Sequence, residues 1–262
     1  MRRTFVIVGV CAAVCVSTGL AQATVQKMTP APLEVASIKE SLEDRGGSLG
    51  MRPGGLMVAT DIRVLDMVYM AFQGHPSLEA EQIFGVPDWA SKIRYNIEAR
   101  FTVSDAASAA GQTNSGSYIR AILNNRFAFQ AHLEKRELPA YSVSASAGGV
   151  KLKAVDVDCE QPDKQTACAT AYGPGRMTSH AMPIDDLIDD IRYALRAPAV
   201  DRTGLRGRFD VDLQWNPDPL ANPDDPRPTI FGAVQAMGLR LERGRDVVDV
   251  LVVDHVEQPS KD

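Results

Sequence analysis

Beyond Leu20 the chain has no apolar run approaching the roughly 20 residues that a membrane-spanning helix needs. Positive charge is also short. The 28 Lys and Arg against 33 Asp and Glu give a net −5, the wrong sign for neutralising nucleic-acid phosphates or lying on an anionic bilayer. Only four cysteines and four histidines are present. The cysteines have no C-x-x-C spacing, and none of His75, His132, His180 and His255 stands at metal-ligand spacing. G-x-S-x-G, H-E-x-x-H, the P-loop and G-x-G-x-x-G are all missing. The sequence therefore offers no catalytic, cofactor-binding or metal-ligating residue to assign, and an enzyme built on it would have to assemble its site from residues far apart in the chain.

What is present starts with a short basic head, Met1-Arg2-Arg3, an apolar stretch of about fifteen residues, and Ala21-Gln22-Ala23. This reads as a secretory signal over 1–23, cleaved after Ala23, with an uncleaved anchor as the alternative. Lipidation at Cys11 or Cys15 is disfavoured because each follows Val, where a small residue is expected. Without Arg2 and Arg3 there are 26 basic and 33 acidic residues, a net −7. The expected location is extracytoplasmic, periplasmic or secreted, with no nucleic acid partner and no stable membrane insertion after cleavage. Cys159 and Cys168 remain, in one polar loop; in an oxidising compartment two such thiols pair, so a disulfide is expected. A metal or redox pair lacks both the spacing and a nearby histidine.

Residues 24–32 form a loose leader. Leu33 to Lys39 alternates as a half-buried strand, Pro53-Gly54-Gly55 signals a turn, and LMVAT reads as a strand. Asp61 is placed to cap a helix carrying Val64, Met67, Val68 and Ala71 on one face. A loop over 74–91 leads to the strand IRYNIEARF, a connector over 104–117 and a second helix, YIRAILNNRF. AFQAHLEKRELPAYSVSAS then reads as a hairpin about Glu134-Lys135-Arg136-Glu137. The order repeats after the cysteine loop. Gly175 precedes a strand, Pro183 opens a helix with Ile184, Leu187, Ile188 and Ile191 on one face, and GRFDVDLQW is the next strand. Thr229 caps IFGAVQAM, Gly238 stops it, and a final hairpin turns about Arg243-Gly244-Arg245. Gly55, Val64, Met67 and Val68 match Gly175, Ile184, Leu187 and Ile188 at a constant offset; Tyr95 matches Phe209, and Phe127 matches Leu239.

The expectation is an α+β protein of two tandem repeats of a β-α-β-α-β(β) unit, its sheets carrying helices on one face. The first repeat covers 33–147, a cysteine-containing linker 148–174, and the second repeat 175–262. Neither unit alone has many elements for a core, so the two should pack together or share strands.

The most distinctive stretch is Arg202 to Trp215, RTGLRGRFDVDLQW. Gly204 and Gly207 suit backbone geometry, while Phe209, Val211 and Leu213 face the core. Asp201, Arg202 and Arg206 are left as a candidate contact surface. Asp185, Asp186, Asp189 and Asp190 form the densest acidic cluster, read as a solvated first turn favoured by the helix dipole.

LEVASIK, RPGGLMVAT, VPDWASKIRYNIEA, LNNRFAFQAHLEKRELPAYSVSA, DRTGLRGRFDVDLQW and VLVVDHVEQPS together resemble a soil-associated, largely acidobacterial family of exported proteins of unknown function. The likeness covers Leu33 to Ser260 and implies a secreted or periplasmic protein. Related domains also occur fused to membrane metallopeptidases of the penicillin-sensing type. No catalytic residues come with it. Val200-Asp201-Arg202-Thr203-Gly204-Leu205 is similar, more distantly, to a turn in the short N-terminal domains of secretins and TonB-dependent receptors, an analogy of fold that points to docking or signalling.

These readings favour a non-enzymatic binding, sensory or docking module of the cell envelope, acting on an envelope protein or small ligand through a groove between repeats or a sheet edge. The alternative is a cell-envelope hydrolase assembled from distant groups such as His132, His180 and the Asp185 cluster.

Overall fold

The computed structural model describes residues 31–43, 46–72, 78–102, 115–159 and 168–260. The expected signal, most of the leader and most of the 104–117 connector lie outside them.

Alternation of apolar and polar residues builds the first sheet, in which β1 (Leu33–Ser41), β2 (Ser48–Arg52), β3 (Leu56–Arg63) and β5 (Arg94–Phe101) lie in the order β1-β5-β3-β2. In β5 every second side chain, Tyr95, Ile97, Ala99 and Phe101, is buried, which sets one face of the sheet against the core. On that face lie α1 (Val64–Ala71) and α3 (Ser115–Arg126), with the five-residue α2 (Asp88–Lys92) beside them. The apolar stripe of α1, Val64, Met67, Val68 and Ala71, meets Ile119, Ile122 and Leu123 of α3 in one cluster. Tyr95 packs edge-on to Phe127 with centroids 5.6 Å apart, and Phe101 to Tyr118 at 4.7 Å.

The later half of the chain builds a sheet of the same form. β7 (Lys153–Val155), β8 (Thr170–Gly173), β9 (Arg176–Pro183) and β11 (Arg208–Gln214) lie in the order β7-β11-β9-β8. Its core takes Phe209, Val211 and Leu213 from β11 and Ile184, Leu187, Ile188 and Ile191 from α4 (Ile184–Leu195), with α5 (Ile230–Ala236) adding Ala233 and Val234. Segment 148–174, expected as a linker, supplies β7 and β8. Thr229 caps α5 as expected, its hydroxyl accepting from the Gly232 N–H at 3.4 Å. Gly204 and Gly207 take φ of 70° and 92°, the geometry expected of them.

The two sheets agree in local detail. Gly55 and Gly175 have φ of 72° and 63°, and their carbonyls accept from Phe101 and Trp215, each at 2.9 Å. Asp61 and Ala181, at φ 55° and 60°, occupy the bulges where β3 and β9 shift register. Arg94 and Arg208 donate to the carbonyls of those bulged residues, each at 3.0 Å.

Two expectations are corrected. Asp61 is not the helix cap: the left-handed bulge puts two more strand residues after it, and its side chain turns inward, 3 % exposed and 3.6 Å from Arg94. The start of α1 is held by Asp66, which accepts from the Arg63 backbone at 3.3 Å and from its guanidinium at 2.8 and 2.7 Å. Nor do the two expected hairpins form. Residues Gln130–Ala145 are one continuous strand, β6, and Leu239–His255 another, β12. They pair antiparallel with each other from Leu239 opposite Ala145 to His255 opposite Gln130. Glu134-Lys135-Arg136-Glu137 contains no residue that favours positive φ, and Gly244, opposite Ala140, stays extended. Charge density had imitated a turn.

This ribbon joins the two halves. Its outer neighbours are β10 (Ala199–Asp201), parallel to β6, and β4 (Ile83–Phe84), parallel to β12, giving the order β10-β6-β12-β4. Each half thus lends a short strand to the long strand of the other. Leu251 and Val253 at the end of β12 enter the first core, while Val143 at the end of β6 enters the second. No helix among the described residues is long and apolar enough to cross a membrane.

Cys159 and Cys168 are bonded, with Cα atoms 5.9 Å apart. The bond closes a short loop between β7 and β8. In the chain-entropy description such a loop contributes about 2–3 kcal/mol. Replacing both cysteines with serine is therefore expected to lower unfolding stability by about that amount, measured by urea denaturation, with the variant still folded.

Candidate functional site

Between the halves lies a cavity of about 1030 Å³. One wall is the outer face of α1, with Leu65 and Tyr69, and the segment from Glu79 to Ile83. The other is the β8–β9 turn with Tyr172 and Arg176, the end of α4 with Asp190, Tyr193 and Arg196, and Trp215 after β11.

The turn is positioned by sequence features that reach across the second half. Gly173 pairs with Arg176 around Pro174-Gly175, and the positive φ of Gly175 suits a turn with proline first and glycine second. A Cβ on Gly175 would sit 2.2 Å from the Trp215 carbonyl oxygen. Arg227 clamps the turn from outside, donating to Pro174 O at 2.7 Å and Gly175 O at 3.2 Å. It is oriented in turn by Asp225, whose carboxyl it holds below the usual carboxylate range. The Asn216 to Pro228 loop thus braces the wall of the cavity.

Three groups in the cavity are electrostatically unusual. Burial, together with Asp186 and Asp189 nearby, pushes the Asp190 carboxyl up to about 6 against the opposing effect of a Tyr172 hydrogen bond. Tyr172 Oη donates to Asp190 Oδ2 at 3.2 Å. The tyrosine ring is largely open to solvent, yet burial of its hydroxyl and the adjacent carboxylate push its own pKa up to about 12. Glu79, 5 % exposed, is raised by burial and by Glu81, with Arg192 and Arg196 partly offsetting them.

A raised carboxyl makes folding depend on pH in a definite direction. The folded state holds a proton on Asp190 more tightly than the unfolded chain does, so its stabilising contribution is complete below the ordinary aspartate range and is lost as pH rises through about 6. The stability of wild type relative to Asp190→Asn is expected to fall between about pH 4 and 7. Urea midpoints of the two proteins across that window check this; parallel curves would contradict it.

The residues singled out in the sequence are only partly gathered here. Of the acidic cluster, Asp190 alone lines the cavity. His132 sits on β6, 2.9 Å from Asp254, which together with Glu134 raises its pKa despite some desolvation. His180 on β9 bonds to Asp210 of β11, which Lys153 also reaches at 3.1 Å. Neither histidine lines the cavity. No group of three or more His, Cys, Asp or Glu among the described residues is arranged to hold a metal ion. Asp201, Arg202 and Arg206 lie on and just after β10, also away from the cavity lining. Asp201 accepts from the Thr203 N–H at 2.7 Å and lies 3.9 Å from Arg206, and Arg202 forms a two-oxygen pair with Asp246 at 2.8 and 2.9 Å. Tyr69, Glu79, Tyr172, Tyr193 and Trp215 were not singled out as a site. The one local sign was an aromatic beside Gly-Pro-Gly.

Fold and cavity define an α+β protein in which two similar halves, tied by a shared ribbon, enclose a concave, partly aromatic site. A family model described as "Protein of unknown function (DUF3738)" matches residues 66–256, and the chain belongs to that family. No curated protein and no solved structure matches it.

Proposed function

We propose that the chain is an extracytoplasmic, non-catalytic binding module that holds a small ligand between two copies of one duplicated unit. The observation that carries this reading is the cavity of about 1030 Å³, lined from both halves by Tyr69, Tyr172, Tyr193 and Trp215. Its size fits an organic molecule, and its mixture of rings with a few polar groups is that of a ligand site. Tyr172 and Tyr193 are 68 % and 66 % exposed, and a ligand would cover apolar surface that the folded chain leaves in water.

Duplication is supported by the identical strand orders, the paired bulges at Asp61 and Ala181, and the matching arginine contacts of Arg94 and Arg208. In this reading left-handed Ala128 corresponds to Gly238 at the entry to the long strands, which displaces the sequence match of Phe127 with Leu239 by two residues. Location outside the cytoplasm is supported by the signal-like N-terminus and the disulfide. It predicts a mature chain beginning at Thr24, checked by the mass of the exported protein.

The test is a panel of small amphiphilic compounds against the Trp89→Phe protein, in which Trp215 is the remaining tryptophan and reports on the cavity. Binders should raise the melting temperature, change Trp215 emission, and weaken in Tyr193→Ala. A panel in which no compound does so would overturn the proposal. The hydrolase alternative draws on one observation, the Asp190 carboxyl near 6 in a concave site, a value suited to acid–base chemistry. Turnover of any bound compound that disappears in Asp190→Asn would favour it over simple binding.

A further inference from the structure

Charge in the cavity is unevenly matched. Arg63 is committed to Asp66 by two bonds of 2.8 and 2.7 Å, and Arg176 lies 3.9 Å from Asp212 outside the lining. Arg196 at the end of α4 acts on Glu79. Glu81 and Asp190 remain, without an ion-pair partner among the described residues. Among the described residues Asp190 accepts from the neutral Tyr172 hydroxyl alone, and Asp186 and Asp189 of its own helix add further negative potential. Asp189 is itself engaged by Arg192.

Two aromatic rings share the cavity lining with this carboxylate. Tyr172 touches Asp190 directly, and Tyr193 stands three positions further along α4, on the same side of the helix. Both rings are largely exposed, and Leu65, Ile83 and Trp215 are among the apolar side chains of the lining. The face of an aromatic ring attracts a cation, and a carboxylate between two such rings adds direct Coulomb attraction. An anionic ligand would meet Asp190, Glu79 and Glu81, against Arg196 and an Arg176 held only by an exposed 3.9 Å contact to Asp212.

We infer that the cavity takes an organic cation, an amine or quaternary ammonium on an apolar body, with the charge at Asp190 between Tyr172 and Tyr193 and the apolar part along Leu65, Ile83 and Trp215. This rests on the binding reading above and names the ligand class for that same cavity.

Three probes of equal shape decide it: 4-phenylbutylamine, 4-phenylbutanol and 4-phenylbutyrate, titrated into the full-length Trp89→Phe protein. At about pH 7.5 the amine is expected to bind at least about tenfold more tightly than the butyrate, and more tightly than the alcohol. That advantage should shrink about tenfold in Asp190→Asn and again in wild type at about pH 5, where the carboxyl holds its proton. An unchanged circular dichroism spectrum of Asp190→Asn shows that the variant remains folded. Alcohol or butyrate binding as tight as the amine would overturn the cation assignment while leaving the binding module standing, as would an amine preference that survives in Asp190→Asn. No binding by any of the three would overturn the assignment too, and a failure of the broader panel would then remove the module with it.

Discussion

A fragment of residues 31–147 is expected to remain unfolded, although it contains every strand and helix of the first sheet layer. Its core is completed from the far end of the chain. Leu251 is fully buried and Val253 6 % exposed in the first cluster, both on β12. Burying each such side chain is worth about 1.5–3 kcal/mol, against a whole-domain stability of about 5–15 kcal/mol. The fragment would also lose the antiparallel partner of β6 along its entire length and the parallel partner of β4, leaving a long strand edge open to aggregation. The deficit is reciprocal: Val143 of β6 is fully buried in the second core, so residues 148–260 should fare no better. Circular dichroism and amide proton dispersion of each fragment test this, and mixing the two should restore structure. Cooperative unfolding of either fragment alone would contradict it.

Gly238→Ala is expected to cost about 3 kcal/mol, combining a left-handed backbone with overpacking. Gly238 has φ +74°, and its missing Cβ would fall 2.2 Å from Gly149 O and 2.8 Å from Lys151 N. Those atoms cannot easily retreat, because Ser146 N donates to Gly238 O and Lys151 N to Met237 O, each at 2.9 Å. Two other glycines separate the contributions. Gly204 has φ +70° with nothing within 4 Å, so its alanine variant should lose only about 1 kcal/mol. Gly244 has neither positive φ nor a close neighbour, and Gly244→Ala should be near neutral. Urea denaturation of the three variants should give that order; equal losses at positions 204 and 238 would show that the close approach carries no cost.

Periodicity of apolar residues depends on which face of an element meets a core, and it was legible wherever one face is buried. The alternation of Phe209, Val211 and Leu213, and the stripe of Ile184, Leu187, Ile188 and Ile191, each placed an element and its inner side correctly. Local backbone demands were legible too, as at Gly204 and Gly207 or the Thr229 cap. The same alternation misled in β6 and β12, because a strand's period says nothing about its partner. A hairpin and a strand paired with another some hundred residues away present the same pattern of side chains. Asp61 failed for a related reason, since capping is local but the bulge that displaced it depends on register with β5.

The cavity lay further from reach. Its lining comes from α1, the Glu79 to Ile83 segment, the β8–β9 turn, α4 and Trp215, which meet only because the ribbon carries each half into the core of the other. Asp190 looked like one of four solvated helix carboxylates, and what sets it apart is its place in the cavity wall, where burial raises its carboxyl. The amino-acid sequence by itself determined an α+β chain of net negative charge, the inward faces of its principal strands and helices, and the pair of cysteines that bond. Tertiary structure decided that two long strands join the halves, and which carboxylate, rings and arginines share a cavity. The physical reason is range: propensity, periodicity and capping act within a few residues, whereas strand partnership and electrostatic environment are set by groups brought together only when the whole chain has folded.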